Sequence, residues 1–378
     1  MKKSKYYLAM FMLLGFMSCD DGESEMNTSD QNITTFKGTQ SPGDVWDWTI
    51  NHDEKTFTTI WDYGTFDDET DDLTISGSFE VLGSGYMKCT INDVAPNSAE
   101  VPEDGSAYFY AMHIPDMAMI VKPEGSIKGD LIACVAAGEC ADIPGDYNYI
   151  MTAPGKGSDY DPTQDEAYGV ATFLPEENGT FGIHGDKYSL DCINEGICTV
   201  DGGITGLPAA ECIENGAMTI SSDGGDTQIE GQFTAAGVMM MDMGKGNGGV
   251  LAFEQSESYT IATLSNEEFV GFAYFPSAEE EDEKIIPVGL SFGNSGENEV
   301  IATAAEMINI NTGELSSDLV TLTIDNVTKG LATGFIKYDD LTNANLAGTI
   351  LESGGKKMLL ISTTNDSGKS FILVLVNK

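Results

Sequence analysis

The body of this 378-residue chain contains six cysteines, which could form disulfide bonds or bind a metal. They are Cys89, Cys134, Cys140, Cys192, Cys198 and Cys212. Cys134 with Cys140 and Cys192 with Cys198 share one spacing, and a glycine follows each first cysteine by four residues. This pattern predicts two short turns closed by local disulfides, with Cys89 left to pair with Cys212. Other connectivities stay open. Zinc is the competing interpretation, but no histidine or second close cysteine pair completes a tetrahedral set.

A second set of side chains could hold a hard cation. Oxygen-bearing residues alternate through Asp159, Asp161, Asp165 and Glu166, as they do in calcium-binding loops. The segment lacks the central glycine and the distant glutamate of an EF-hand. We therefore predict calcium as the one possible cofactor, with a solvated acidic loop as the alternative.

Catalytic sets are not indicated. Only three histidines occur, His52, His113 and His184. His184 has Asp186 and Ser189 nearby, but no Gly-x-Ser-x-Gly elbow fixes a nucleophile. Carboxylates are abundant enough for a glycosidase pair, yet they cluster in turn segments where water solvates them. The sequence therefore assigns no catalytic residue.

The charge of the chain excludes some partners. The sequence has 61 acidic residues against 18 lysines and arginines, and its formal net charge is −43. Nucleic-acid binding needs clustered positive charge, and this surface would repel phosphates. Docking on an anionic lipid surface is disfavoured for the same reason.

The N-terminal residues have the pattern of an export signal. A basic segment, residues 1–5, precedes an apolar stretch, residues 6–17, which is too short to cross a membrane. Ser18 and Cys19 follow, and the chain then becomes acidic. This arrangement resembles the lipobox of bacterial lipoproteins, although Phe16 stands where that family usually has leucine. An ordinary secretory signal with a chance cysteine is the alternative.

The lipobox resemblance implies a lipid-anchored protein of the bacterial cell envelope. Residues 1–18 would be the signal peptide and Cys19 the acylated residue, which would hold the protein at a bilayer. The outer membrane is the expected location, with the body either periplasmic or surface-exposed. Residues 19–39 are interpreted as a flexible acidic tether.

The body is predicted to be all-β, because apolar residues alternate with polar ones and turn signals recur at short intervals. Residues 163–168 and 302–308 are the only segments compatible with short helices. Three apolar hairpins look alike, and their glycines Gly129, Gly248 and Gly368 are 119 and 120 residues apart. We infer three β-modules, at 40–140, 145–255 and 258–378.

Each module has enough strands for an antiparallel β-meander or a small barrel. The pattern weakly resembles calycin-type barrels, although no specific motif of that family matches. An elongated solenoid or sandwich with shared sheets is the alternative. The last strand, residues 371–376, shows no polar alternation and must be covered on both faces.

These observations favour a non-catalytic binding or cell-surface interaction protein. Its partners would be the lipid bilayer, through the acyl anchor, and an unknown protein, glycan or apolar ligand. There are two alternatives. One is a surface hydrolase that uses carboxylates, and the other is a carrier of a small apolar ligand. Methionines concentrate in the apolar hairpins, where they fit an adaptable core better than a copper site.

Overall fold

A computed structural model gives the fold, and it describes residues 32–378 with gaps. The gaps are residues 41–43, 63–71, 97–106, 126–129, 141–144, 153–165, 176–179, 189–209, 213–215, 222–227, 243–248, 276–277, 279–283, 294–300, 339–341 and 365–370. Residues Asn32–Lys378 form one unit of the chain.

Twenty-four antiparallel strands form three closed barrels, each with eight strands in chain order around the wall. Barrel 1 contains β1 (Ile33–Gln40), β2 (Val45–Asn51), β3 (Thr56–Asp62), β4 (Leu73–Val81), β5 (Met87–Ala95), β6 (Ala107–Ile114), β7 (Ala118–Gly125) and β8 (Ile132–Ala136). Barrel 2 contains β9 (Gly145–Thr152), β10 (Glu166–Pro175), β11 (Thr180–Tyr188), β12 (Ala210–Cys212), β13 (Ala217–Ser221), β14 (Gln228–Phe233), β15 (Val238–Asp242) and β16 (Gly249–Glu254). Barrel 3 contains β17 (Glu268–Tyr274), β18 (Ile285–Ser291), β19 (Ile301–Ile308), β20 (Leu315–Thr328), β21 (Leu331–Tyr338), β22 (Thr342–Ser353), β23 (Lys356–Thr364) and β24 (Phe371–Asn377).

The predicted fold class is confirmed: the chain is all-β, and its modules are antiparallel barrels. Both segments compatible with short helices contribute to strands, since residues 302–308 belong to β19 and β10 begins at Glu166. A short 3-10 helix, Ile261–Leu264, precedes barrel 3. Its Leu264 is buried in the interior cluster of that barrel, so the helix closes one end of it.

The predicted tether is too long at its C-terminal end. Residues 33–39 belong to β1, which pairs with β2 on one side and with β8 on the other. Phe36 points into the barrel and is 3% exposed. The local sequence is mostly polar and gives little strand signal, but without β1 the barrel would have two unpaired edges. Closure of the barrel therefore fixes this segment as a strand.

Barrels 1 and 2 have the same polarity along their axes. At one end, barrel 1 has the tight connections 52–55, 82–86 and 115–117, and we call this its turn end. The connections 63–72 and 96–106 leave from and return to the opposite end, the loop end. In barrel 2 the connections 153–165 and 189–209 join strands at the end where β9 ends, its loop end, while 234–237 is a tight turn at the other, its turn end. In barrel 3 the connection 275–284 joins strands at the end where β17 ends, its loop end, while 329–330 and 354–355 are tight turns at the other.

Barrels 1 and 3 have filled interiors, and the three barrels also share a second core between them. The interior of barrel 1 includes Trp48, Phe57 and Phe109, and that of barrel 3 includes Phe269 and Phe371. The outward faces of the first and last strands contribute to what we call the three-barrel core. It includes Tyr86, Ile120, Val135, Val238, Met240, Phe253, Phe272, Met358, Leu360 and Val374. This core explains why the final strand of the chain is apolar on both faces.

Candidate functional site

The seams at which the barrels close face one another. Each barrel closes by pairing its first strand with its last, β1 with β8, β9 with β16, and β17 with β24. Residues from all six of these strands, together with β23, line one cavity of about 60 Å³. Its lining includes Gln40 and Ala133 from barrel 1, Ile150 and Leu251 from barrel 2, and Tyr274 and Val374 from barrel 3. We call this space the junction cavity.

The junction cavity lies at the loop end of the strands that line it. Gln40 and Tyr274 are the last residues of β1 and β17, and Gly249 is the first residue of β16. Backbone approach is close here, because a Cβ atom at Gly249 would lie 2.7 Å from Thr39 Cγ2. Most of the lining is aliphatic or aromatic, so the cavity favours an apolar group.

Carboxylates surround the junction cavity. Thr39 Oγ1 donates to Asp242 Oδ1 at 3.0 Å, and Gln40 Nε2 donates to Asp44. Tyr274 Oη donates to Asp130 Oδ1 at 2.8 Å. Each of these three donors lines the cavity, so three aspartates stand directly behind its polar wall.

Asp130 also forms an ion pair with Lys284, whose Nζ is 2.5 Å from Oδ1. Asp242 is 1% exposed and Asp44 is 8% exposed. Carboxylates buried to this degree require polar partners or a cation, because desolvation of a charge is costly. The site therefore combines an apolar interior with hydrogen-bonded carboxyl groups behind its polar wall.

Two connections between strands are rich in acidic residues in the sequence. The connection 63–72 contains Asp67, Asp68, Glu69, Asp71 and Asp72. In barrel 3 the connection between β17 and β18 contains the acidic run 279–283. The strand ends that these connections join lie at the same end of their barrels as Gln40 and Tyr274.

Polar contacts between barrels hold the junction together. Tyr86 Oη donates to the carbonyl of Gly271 at 2.6 Å and joins barrel 1 to barrel 3. Asn148 Nδ2 donates to the carbonyl of Lys329 at 3.0 Å and joins barrel 2 to barrel 3. Thr234 Oγ1 donates to the carbonyl of Asp116 at 3.1 Å, turn end to turn end, between barrels 2 and 1. These bonds and the shared core position the three seams relative to one another.

An ion pair across the outside of barrels 1 and 2 accompanies these contacts. Lys37 Nζ is 2.6 Å from Glu230 Oε2. Burial alone would lower the pKa of Lys37, but Asp47 and Glu230 outweigh it and raise the pKa. Burial raises the pKa of the Asp47 carboxyl, and the charge of Glu230 adds to that effect while Lys37 opposes it. Lys37 therefore carries its charge as a fixed link between the two barrels.

All three tryptophans of the chain lie in barrel 1. The rings of Trp46 and Trp61 stack with centroids 4.9 Å apart, and Trp48 stacks on Phe57 at 5.5 Å. Among the described residues, the Nε1 atoms of Trp46 and Trp48 and the hydroxyl of Thr59 have no hydrogen-bond partner. Thr59 lies directly opposite Trp48 in the sheet. These polar atoms inside a packed barrel lower its stability.

Two histidines meet at the turn end of barrel 1. The rings of His52 and His113 have centroids 5.0 Å apart, and Thr34 Oγ1 lies 3.1 Å from His52 Nε2. Burial and the nearby His52 lower the pKa of His113 to about 4. In the described part of the chain, no group of three or more His, Cys, Asp or Glu side chains is placed to hold a metal ion.

The predicted disulfide pairing is wrong for the cysteines that the structure describes. Cys140 pairs with Cys212, with Cα atoms 5.8 Å apart, whereas Cys89 and Cys134 are free thiols. Cys134 points into barrel 1 from β8, while Cys140 lies beyond the end of that strand. The local turn that the spacing suggested therefore does not form. The disulfide instead fastens the segment after barrel 1 to β12 of barrel 2.

Burial also sets the chemistry of the free thiols. It raises the pKa of Cys89 to about 12 and raises the pKa of Cys134 as well. Thiols in this state are poor nucleophiles and weak metal ligands at neutral pH. Cys89 and Cys134 therefore act as small core residues.

Several predicted site residues lie outside the described residues. They are Cys19, Asp159, Asp161, Asp165, Cys192 and Cys198. Glu166 begins β10, but its side chain is not among those described. The described hairpin methionines Met119, Met240 and Met358 are buried core residues, as expected.

The sequence analysis did not predict the junction cavity, although one sequence pattern marks several of the strands that line it. The strands β15, β16 and β24 are almost uninterrupted runs of apolar residues, which requires cover on both faces. Pairing three such hairpins with one another would have predicted a shared core. Nothing in the sequence marks Gln40 or Tyr274 as lining a cavity.

The chain was compared with protein families, curated sequences and solved structures. No family profile matches the chain, and no curated protein sequence matches it. Within the described residues, no helix has the length and apolar character needed to cross a bilayer.

Solved structures give remote similarities. Transferrin binding protein B from serogroup B Neisseria meningitidis is 10% identical, with a TM-score of 0.28, over 89% of this chain and 66% of that one. A mutant of transferrin binding protein B from Haemophilus parasuis Hp5 is 8% identical, with a TM-score of 0.27 and the same coverage. A DUF3598 protein from Nostoc punctiforme is 14% identical, with a TM-score of 0.24, over 64% of this chain and 98% of that one. The chain thus spans slightly less than two thirds of either transferrin binding protein B, and similarity at this level carries no functional argument.

Proposed function

We propose that this chain is a lipid-anchored protein of the bacterial cell envelope that binds a protein partner through the loop end of its three-barrel body. The observation that carries the proposal is the polarity of barrel 1. Its first strand enters at the turn end, and its long connections leave from the opposite end. Loops carried by a rigid scaffold are the usual place for binding residues.

The entry of the chain into barrel 1 is well defined. The backbone N–H of Asn32 donates to Asp53 Oδ2 at 3.1 Å, and the N–H of His52 donates to the carbonyl of Asn32 at 2.9 Å. We propose that residues 1–18 are a signal peptide, that Cys19 is acylated, and that residues 19–32 are the tether. Such a tether would join the body at the turn end and leave the loop end free of the attachment point.

The packed interiors support a binding surface over an internal carrier. Barrels 1 and 3 are filled with aromatic and aliphatic side chains from all eight of their strands. A barrel that carries a ligand inside needs a hollow interior. The filled interiors of barrels 1 and 3 leave no room for a ligand there, which favours a partner that binds the outside of the body.

Position-specific photocrosslinking in native cells tests the binding face. A photoreactive residue replaces Asp93, which is exposed on β5 near the loop end, or Glu54, which is exposed at the turn end. We expect a discrete protein adduct from position 93 and none from position 54. Adducts from position 54 alone, or no adduct from either, would contradict the proposal.

The anchor has its own test. We expect Cys19→Ala to move the protein from the detergent phase to the aqueous phase and to abolish incorporation of labelled palmitate. Unchanged partition would show that Cys19 is not the lipid site, and the proposed anchoring would then be wrong.

A further inference from the structure

The histidine pair at the turn end of barrel 1 lies against the apolar interior. His52 follows β2 and His113 lies on β6, and their ring centroids are 5.0 Å apart. The ring of Phe36 meets His113 edge-on at 5.5 Å, and the ring of Phe79 meets His52 at 6.1 Å. Both phenylalanines belong to the interior cluster of barrel 1. The pair therefore lies where the packed interior of this barrel ends.

The surroundings of His113 suit a neutral imidazole better than a charged one. Its Nε2 atom is shielded from solvent and has no hydrogen-bond partner among the described residues. Protonation makes both ring nitrogens donors, so Nε2–H would become a buried, charged donor without an acceptor. It would also place a positive charge beside His52, a ring that can carry a proton itself.

The charged residues of the two adjoining turns offer limited compensation. They are Asp53, Glu54, Lys55 and Asp116. Asp53 Oδ2 accepts the backbone N–H of Asn32 at 3.1 Å. Burial and His52 lower the pKa of His113 to about 4, although the charge of Asp116 opposes them. The side chains that meet the pair from the strands are neutral, and they are Thr34, Phe36, Phe79 and, directly across the sheet from His113, Met119.

The start of β1 borders this pair and is held on one side. β1 pairs with β2 along residues 33–39 and with β8 along residues 36–40. Within the described part of the chain, residues 33–35 therefore pair with β2 alone. Ile33 is 47% exposed, so little apolar burial holds this segment. Segments with few buried contacts at the edge of a structure open locally at the lowest free-energy cost.

His52 connects the pair to this segment. Its backbone N–H donates to the carbonyl of Asn32 at 2.9 Å, and Thr34 Oγ1 lies 3.1 Å from its Nε2. A movement of His52 away from a charged His113 would break both contacts, so the start of β1 would open with it. The turn after β6 is less free to move, because the carbonyl of Asp116 accepts a hydrogen bond from barrel 2.

We propose that His52 and His113 form an acid-sensitive latch, which holds residues 32–35 against β2 at neutral pH and releases them in mild acid. The closed state keeps His113 neutral and out of water. The open state lets its ring reach water and separates it from His52, so each proton taken up favours opening. The latch acts where the chain enters barrel 1. It goes beyond the proposed function and does not depend on acylation of Cys19.

Hydrogen exchange of the full chain, followed by mass spectrometry, tests the latch. Peptides that cover residues 32–36 are compared at pH 7.5 and pH 5, after correction for the intrinsic pH dependence of exchange. We expect their protection to fall about 25-fold, because His113 has an ordinary pKa of about 6.5 in the open state and about 4 in the closed state. Peptides from β23 in barrel 3 should keep their protection.

Matched variants assign the response to the pair. His113→Gln should remove it, because glutamine takes up no proton, and His113→Met is the second variant if the first does not fold. His52→Gln should leave a smaller response, since the burial of His113 remains while the repulsion is lost. His184→Gln replaces the third histidine of the chain, on β11 of barrel 2, and should keep the full response.

Four results would overturn the latch. The first is equal protection of residues 32–36 at the two pH values, and the second is a response that survives His113→Gln. The third is a response in His52→Gln as large as in the unchanged protein, which would show that the two rings do not act together. The fourth is the same loss of protection in every strand of barrel 1, which would show that acid unfolds the barrel as a whole.

Discussion

Phe269 and Phe272 lie three residues apart on β17, and their side chains belong to different hydrophobic cores. Phe269 is buried inside barrel 3, whereas Phe272 is buried in the three-barrel core, where its ring meets Tyr86 of barrel 1 at 5.3 Å. One strand therefore stabilises its own barrel with one face and the assembly of barrels with the other.

We expect this difference to appear in calorimetry. Phe269→Ala and Phe272→Ala should each lower the free energy of unfolding by about 3–5 kcal/mol, because both side chains are fully buried. Phe272→Ala should also broaden or split the transition, since it loosens barrel 3 from barrel 1. Phe269→Ala is its matched control and should keep one transition. Identical unfolding profiles for the two variants would contradict the separate roles.

Thr59→Val should stabilise the protein. The hydroxyl of Thr59 is buried in barrel 1 without a hydrogen-bond partner among the described residues, and valine has nearly the same shape. Removing an unsatisfied buried hydroxyl should raise the free energy of unfolding by about 1 kcal/mol. Thr58→Val, on the exposed face of the same strand, is the control and should have little effect. Urea titrations of both variants measure the difference, and a destabilised Thr59→Val would indicate a bound water at this place.

Acid should weaken barrel 1 through His113. Its pKa is about 4 in the folded protein against an ordinary value of 6.5, so the unfolded chain binds the proton first. The stabilising contribution is complete above pH 6.5 and is lost as the pH falls toward 4. The loss amounts to about 3 kcal/mol relative to His113→Gln. Comparing the two proteins by urea unfolding from pH 7.5 to 4 isolates this group from the many carboxylates. Parallel curves would show that His113 is not responsible.

The cysteines should separate into two classes. Unfolding without reductant should expose Cys89 and Cys134 to alkylation, whereas neither should react in the native protein at pH 8. Cys140→Ser should lower the free energy of unfolding by about 4 kcal/mol, because the disulfide closes a loop with a sequence separation of 72. Cys212→Ser and the double variant should match it, since all three remove the same bond. A peptide that links Cys134 to Cys140 in mass spectrometry would contradict this pairing.

Calcium binding at Asp159, Asp161, Asp165 and Glu166 remains a prediction. The net charge of −43 implies self-repulsion, so the melting temperature should rise with salt. Millimolar calcium should raise it further at matched ionic strength. Replacing Asp159 and Asp161 by asparagine should remove only the calcium-specific part. Equal melting curves in calcium and in the matched sodium salt would show that these acids are merely solvated.

Most of the secondary structure could be predicted from the sequence, but the way in which the three barrels pack together could not. Alternation and turn spacing predicted strands and barrel-like modules, because both are local properties of the chain. The pairing of Cys140 with Cys212 depends on where barrel 2 lies against the end of barrel 1, and spacing along the chain holds no information about that. Most of β1 was assigned to the tether, because β1 becomes a barrel strand only by pairing with β8, about a hundred residues later in the chain. The junction cavity is the product of three such long-range relationships.

The closing seams impose an order on folding as the chain becomes available from its N-terminus. Barrel 1 cannot close until β8 has been made, because β1 waits for that partner. Even then the outward faces of β7 and β8 present Ile120 and Val135 to water until the later barrels arrive to cover them. An intermediate with barrel 1 closed and the later barrels unfolded therefore exposes apolar surface that favours aggregation. Only the arrival of β24, the last strand of the chain, closes barrel 3 and completes the three-barrel core.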